Sequence, residues 1–238
     1  MSAPTPSPSR VNVGSMFDRI AHRYDLLNRL LSFGTDVRWR KRMGKHLPQG
    51  EALNVLDLAT GTADVLISLQ KNCPSVRRGT GVDLSFGMLS YGVPKLRALG
   101  LADRFRLVQG NAMCLPLPSD CYDAATISFG IRNVLDVGAG LREMHRVLRP
   151  GGRVLVLEFS LPGNALFRAG YLFYFRHVLP RIGALLSGDG HAYRYLNQTV
   201  ETFPYGEGFC ALLREAGFRE VRAHPLTFGI ATLYQGDK

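Results

Sequence analysis

The stretch LNVLDLATGTADV, residues 53–65, runs from apolar residues into an acid, then into small residues, then into helical periodicity. That order describes a buried strand turning through a tight loop into a helix, the opening unit of an open α/β sheet. Downstream the rhythm repeats. RGTGVDLS (78–85), RFRLVQGNA (104–112), YDAATISFG (122–130) and RVLVLEFS (153–160) read as further strands. The helical patterns ADVLISLQKN, GMLSYGVPKLRALG and LREMHRVLRPGG lie between them, and Pro94 predicts a kink or break in the second. Strands alternating with helices imply a parallel, doubly wound α/β sheet. REVRAHPLTFGIATLYQG (219–236) adds two closing strands after a helix in EGFCALLREAGF. Upstream, residues 13–50 read as a helical cap of two helices around Phe33-Gly34, and residues 161–205 as an aromatic and basic lid insertion. MSAPTPSPSR, within an expected disordered tail over 1–12, has neither the basic nor the apolar region of a secretory signal. Residues 13–238 thus form one expected domain.

Ligands of such sheets bind at the carboxyl ends of the strands. Asp57 ends the first strand, and the loop Gly61-Thr62 opens the next helix, whose free N–H groups suit an anion or a closely approaching ligand. Asp83 ends the second strand, where a carboxylate accepts both hydroxyls of a ribose. Asn111-Ala112 follows the third, placed to read an adenine edge, and Ser128 ends the fourth at the same rim. As a glycine fingerprint the loop is weak, because Ala59 and Ala63 stand where two further glycines are expected. A nicotinamide dinucleotide therefore stays open, although the two closing strands suit a seven-stranded methyltransferase sheet better.

The totals narrow the classes. Twenty-nine Lys and Arg against 19 Asp and Glu give a net charge of +10, and residues 1–50 alone carry nine basic and three acidic side chains. A basic flank suits RNA or an anionic membrane surface, and equally a solvated helix face. Four irregularly spaced cysteines without a CxxC suit the cytoplasm, the six histidines form no metal-binding pair, and no apolar run reaches 18 residues.

Several segments resemble the UbiE/MenG family of ubiquinone and menaquinone C-methyltransferases: MFDRIAHRYDLLNRLLSFG, LDLATGTAD, ISFGIRNV, EMHRVLRPGGRVLVLEFS, HVLPRIGALLSGDGHAYRYL and LTFGIA. Ala63 departs from the glycine usual there. The resemblance implies a class I S-adenosylmethionine-dependent methyltransferase (Rossmann-like), with Thr62, Asp83, Asn111, Ala112 and Ser128 on the cofactor. It also implies a prenylated quinol as acceptor, with demethylmenaquinol favoured over the 2-polyprenyl-6-methoxy-benzoquinol of ubiquinone synthesis or another amphiphilic phenol. Arg132 and Asn133, just past the fourth strand, are the expected catalytic pair, the guanidinium stabilising a developing ring oxyanion. Tyr24 and Asn28, one helical turn apart, are expected to close over the ring. An RNA methyltransferase is the weaker alternative, since SFGIRN replaces the Asn/Asp-Pro-Pro-aromatic segment of base methylases, so no nucleic acid partner is expected. The aromatic run around 167–175 suits an isoprenoid tail or a peripheral contact with the inner membrane surface.

Overall fold

The computed structural model describes residues 13–32, 34–178, 181 and 190–238. The expected tail over 1–12, Phe33 and part of the lid insertion lie outside the described residues.

A seven-stranded sheet has the order β3-β2-β1-β4-β5-β7-β6. Its strands are β1 (Leu53–Leu58), β2 (Val76–Asp83), β3 (Phe105–Gln109), β4 (Tyr122–Ser128), β5 (Leu148–Phe159), β6 (Arg219–Leu226) and β7 (Ala231–Asp237). The first five run parallel, while β7 is antiparallel to both β5 and β6. The order reverses between β1 and β4, which opens a crevice at their carboxyl ends. This is the doubly wound sheet expected from the alternating pattern, closed by the two terminal strands.

Both faces are covered, which is why the central strands are apolar throughout. On one face α5 (Val137–Val147) and a helix over Glu207–Glu215 pack Leu141, Met144, Phe209 and Leu213 against Leu56, Leu58, Ile127 and Tyr234. On the other, α2 (Thr35–Met43), α3 (Asp64–Asn72) and α4 (Phe86–Ala98) bring Trp39, Met43, Leu66, Leu69 and Leu96 onto Val55, Leu155 and Leu157. Each fully buried side chain of this size contributes about 1.5–3 kcal/mol of burial. Pro94 does not break α4. The carbonyl it leaves without a helical partner belongs to Ser90, on a stretch exposed to solvent.

The cap is α1 (Val13–Leu31), which packs on α4, followed by α2. The lid comprises α6 (Ala165–Phe173), a π turn over Tyr174–Val178 and α7 (Gly190–Thr202). Phe175 and Val200 anchor it, together with an Asn197 Nδ2 bond to the Phe175 carbonyl at 2.7 Å and an Arg176–Glu201 ion pair. Arg168 donates to the Pro162 carbonyl at 2.7 Å. Both arginines of the aromatic run are thus engaged locally.

Candidate functional site

A cavity lies at the carboxyl ends of β1, β2 and β4, roofed by α1. Its wall includes Gly61, Thr62, Asp83, Asn111, Ala112, Ser128 and Asn133, joined by Phe17, Asp25, Arg40 and Met88. Seven of the sequence-derived site residues therefore meet in one place.

The floor is built from backbone that glycine and alanine permit. Gly61 has φ +56°, and Ala59 and Ala63 also adopt positive φ. For Ala63 the left-handed conformation costs about 1–2 kcal/mol, partly offset by complete burial of its methyl at about 0.8 kcal/mol. That balance explains how alanine stands at a position of positive φ. Gly130 lets the β4 loop approach the β1 loop, since a Cβ there would sit 2.4 Å from that of Ala59.

Asp83 organises the rim. Its Oδ2 accepts from Gly61 N and its Oδ1 from Ser85 N, both at 2.8 Å, and burial raises its carboxyl above the usual range against these bonds. Asn111 Oδ1 accepts from Met113 N at 2.9 Å, which leaves its amide N–H groups for a ligand. Ser128 Oγ is buried without a partner. A hydroxyl with no partner among the described residues, at the rim of a cavity, is a group that a bound molecule can satisfy.

Two carboxylates of α1, seven residues and so two turns apart, strap the cap over this rim. Asp18 accepts from Ser85 Oγ at 2.5 Å and from Gly87 N at 2.8 Å. Asp25 accepts from Thr62 Oγ1 at 2.6 Å and from Lys95 Nζ at 2.7 Å. Lys95 also pairs with Asp64. Neither Asp18, Asp25 nor Arg40 was among the residues expected from sequence. Of the cap residues that were, Tyr24 and Asn28 lie on α1, but their side chains fall outside the described residues.

Two expectations need correction. Asp57 does not line the cavity; it is fully buried beneath it, with Oδ1 accepting from Thr126 Oγ1 at 2.6 Å. Its Oδ2 has no hydrogen bond of ordinary geometry. Burial pushes its carboxyl up to about 7, against the pull of Thr126, Thr60 and Arg40.

Arg132 does not face the cavity either. Residues 131–133 form a single 3-10 turn, so successive side chains diverge by about 120°. Asn133 therefore reaches the cavity wall, while Arg132 turns towards the end of β5. There its Nη1 donates to the Phe129 carbonyl at 2.6 Å and to Glu158 Oε1 at 2.7 Å, and the guanidinium lies 5.4 Å from the centre of the Phe159 ring. Nor does it cap the following helix, which Asp136 caps through Ala139 N at 2.8 Å. Arg132 Nε, Glu158 Oε2 and the Tyr171 hydroxyl are buried and have no partner among the described residues. Burial raises the Glu158 carboxyl despite Arg132, and raises the Tyr171 hydroxyl above its usual range. The lid also reaches the cavity, because Tyr195 Oη donates to Asn133 Oδ1 at 3.1 Å.

Among the described residues no group of three or more His, Cys, Asp or Glu is placed to hold a metal ion, and no helix is long and apolar enough to cross a membrane.

Residues 7–238 match the model of the ubiE/COQ5 methyltransferase family. The ubiquinone/menaquinone biosynthesis C-methyltransferase UbiE of Syntrophotalea carbinolica is 53% identical over 93% of this chain and 92% of its own length. The demethylmenaquinone methyltransferase of Thermus thermophilus is 46% identical over 94% of this chain and 100% of its own. In fold, the chain resembles a methyltransferase from Thermotoga maritima, with a TM-score of 0.67, 20% identity, and coverage of 94% of this chain and 99% of that one.

Proposed function

The chain belongs to the ubiE/COQ5 methyltransferase family, and from that premise we propose that it methylates a ring carbon of a prenylated hydroquinone, with demethylmenaquinol as preferred acceptor. The observation that supports this reading is the convergence of Gly61, Asp83, Asn111 and Ser128 on one cavity whose far wall carries Asn133, itself tied to the lid. The donor set fits S-adenosylmethionine: a carboxylate for ribose hydroxyls, an amide for the base, and an unpartnered hydroxyl. Bound there, that cofactor supplies an electrophilic methyl group on a sulfonium.

This chain's residues must then make the acceptor carbon nucleophilic and keep water out. A hydroquinol ring becomes electron-rich as its hydroxyl loses a proton, and after methyl transfer the ring carbon sheds its own proton to restore aromaticity. Asn133, with its oxygen held by Tyr195, keeps two N–H donors for one ring oxygen. Arg132, turned away from the cofactor cavity, spends Nη1 on the fold, and its Nε lies beneath the lid, so it meets a ring oxygen only where the ring enters between the lid and β5. The cap straps and the lid exclude water. The deciding experiment incubates the purified protein with labelled S-adenosylmethionine and either demethylmenaquinol or the corresponding benzoquinol. Label in the naphthoquinol ring is expected. Label in neither ring ends the proposal, and label in the benzoquinol alone reassigns the branch.

Asp83→Ala is expected to weaken cofactor binding by about 1–3 kcal/mol, since the ribose hydroxyls and two backbone N–H groups lose their acceptor. Calorimetric titration with S-adenosylhomocysteine measures this, and an unchanged affinity removes Asp83 from the site.

The outer lid surface and the adjoining turn before β7, where Phe228 meets Phe167, bear the apolar side chains that an isoprenoid tail or bilayer would cover. Leu166 is 85% exposed, Phe173 64% and Phe228 82%, whereas Phe175 is buried and belongs to the lid core. Covering one such phenylalanine is worth up to about 1.5–3 kcal/mol. Phe173→Ser with Phe228→Ser is therefore expected to slow turnover of a long-chain quinol and to reduce co-sedimentation with lipid vesicles. A tailless quinol should turn over unchanged. An equal loss on both acceptors removes the lid from tail recognition.

A further inference from the structure

Tyr195, on the inner face of α7, stands where the lid, the cap and the cavity wall meet. It is 9% exposed, and Thr199, one turn further on, donates from Oγ1 to its carbonyl at 3.0 Å. Tyr195 packs with Met16 of α1, and Val13 and Phe17 lie against the pair. Residues 13, 16 and 17 share one face of α1 by their spacing. Val13 and Phe17, with Gly14 between them, also line the cofactor cavity. One turn of the cap thus touches both the cavity and the lid.

The hydroxyl of the same tyrosine holds Asn133. Its Oη donates to Asn133 Oδ1 at 3.1 Å, and among the described residues no other group bonds the Asn133 side-chain amide. The backbone of Asn133 is fixed separately, its N–H donating to the Gly130 carbonyl at 3.0 Å. A terminal amide turns about χ2 over a broad, roughly two-fold well, so an unheld asparagine presents either oxygen or nitrogen to a ligand. A donor on its oxygen removes that freedom and commits the two N–H groups to the side away from the lid tyrosine. The amide in the cavity wall therefore has one orientation when α7 is seated and two when it is not.

We propose that Tyr195 is a positioning residue for methyl transfer: it aims the Asn133 amide at the acceptor, and does so only while α7 rests on α1. This rests on the reading above, in which Asn133 meets a ring oxygen, and deepens it by naming what makes that contact conditional. An acceptor held under the lid also holds the roof over the donor, through the packing of Tyr195 on Met16. Linkage makes the effect reciprocal, so each ligand tightens the other by the same factor.

Two measurements on the purified protein test this. The first follows turnover of demethylmenaquinol with labelled S-adenosylmethionine in Tyr195→Phe, Asn133→Ala and the double variant. Tyr195→Phe keeps the ring on Met16 and loses only the hydroxyl, so kcat is expected to fall about tenfold, the scale of one hydrogen bond, with S-adenosylhomocysteine affinity unchanged. In the Asn133→Ala background the same change should cost nothing further, because the group it positions is gone. An equal loss in both backgrounds makes the tyrosine merely structural and overturns the proposal, as does full kcat in Tyr195→Phe. The second titrates S-adenosylhomocysteine calorimetrically with and without 2-methyl-1,4-naphthoquinol. The quinol is expected to tighten binding about fivefold or more in wild type and in Tyr195→Phe. That gain should vanish in Tyr195→Ala and shrink in Met16→Ala, which breaks the contact from the cap and leaves the lid residue in place. No tightening in wild type overturns the link, as does tightening undiminished in either variant. If wild type labels no quinol, or Asn133→Ala turns over at the wild-type rate, the acceptor reading itself fails, a distinct result.

Discussion

Replacing Arg132 by alanine is expected to cost the fold about 3–5 kcal/mol, because it strands the Glu158 carboxylate in a site that has no other cation among the described residues. Glu158 is 1% exposed, and its Oε1 also accepts from Phe159 N at 2.8 Å. The loss should appear as a lowered midpoint in urea with an unchanged slope. Such a variant would be inactive for trivial reasons, so the chemistry needs a second one. Arg132→Met with Glu158→Gln removes both charges, keeps an acceptor for Phe159 N, and should recover most of the stability, as neutral replacements of buried pairs commonly do. Turnover in this double variant is expected to stay about 10²–10³ below wild type, the usual loss on removing a preorganised donor to a developing oxyanion, with S-adenosylhomocysteine affinity unaltered. Wild-type turnover in the rescued variant would make the guanidinium a structural element only. An unchanged urea midpoint in Arg132→Ala would show that the buried pair does not support the fold.

That experiment is framed differently from what sequence alone suggests, and the reason is geometric. The strand ends were legible because each is announced locally: an apolar run stops at Asp83 or Ser128 and a turn follows. Parallel pairing followed from alternation, and the two closing strands from the apolar segments left after the last helix, whereas the order of the strands did not. The direction of Arg132 was not legible, since it depends on the phase of one short 3-10 turn whose start no residue type marks. The cap contacts were equally hidden. Asp25 meets Thr62 across 37 positions and Lys95 across 70, and no periodicity within α1 tells which of its faces will meet the loop. The same limit separates Phe173 from Phe175: a run of aromatics shows that something is covered, not which ring does the covering.

Asp57 is expected to make the ligand-free protein less stable as pH rises towards neutrality. Its carboxyl stands at about 7 in the folded state, above the ordinary 3.8, because burial penalises the charged form. Folded protein therefore binds this proton more tightly than unfolded protein does. The stability that the group contributes is fully present below about pH 4 and is lost as pH climbs through 7, a difference on the order of 4 kcal/mol. Asp83 and Glu158 are raised in the same direction, so only the difference between wild type and Asp57→Asn isolates the effect. Urea unfolding of both proteins from pH 4.5 to 8 should show a steeper decline for wild type. The same proton links stability to binding. Asp57 lies directly beneath the loop of Thr60, Gly61 and Thr62, and its Oδ2 has no hydrogen bond. A cationic sulfonium and an ammonium bound above it lower the cost of the charged form, so the carboxyl should ionise as the donor binds. Calorimetric titrations with S-adenosylmethionine near pH 7, in buffers of different ionisation enthalpy, should therefore report release of a substantial fraction of one proton in wild type and almost none in Asp57→Asn. Identical proton release in the two proteins would assign it elsewhere, and parallel stability profiles would mean that Asp57 is already ionised in the empty protein.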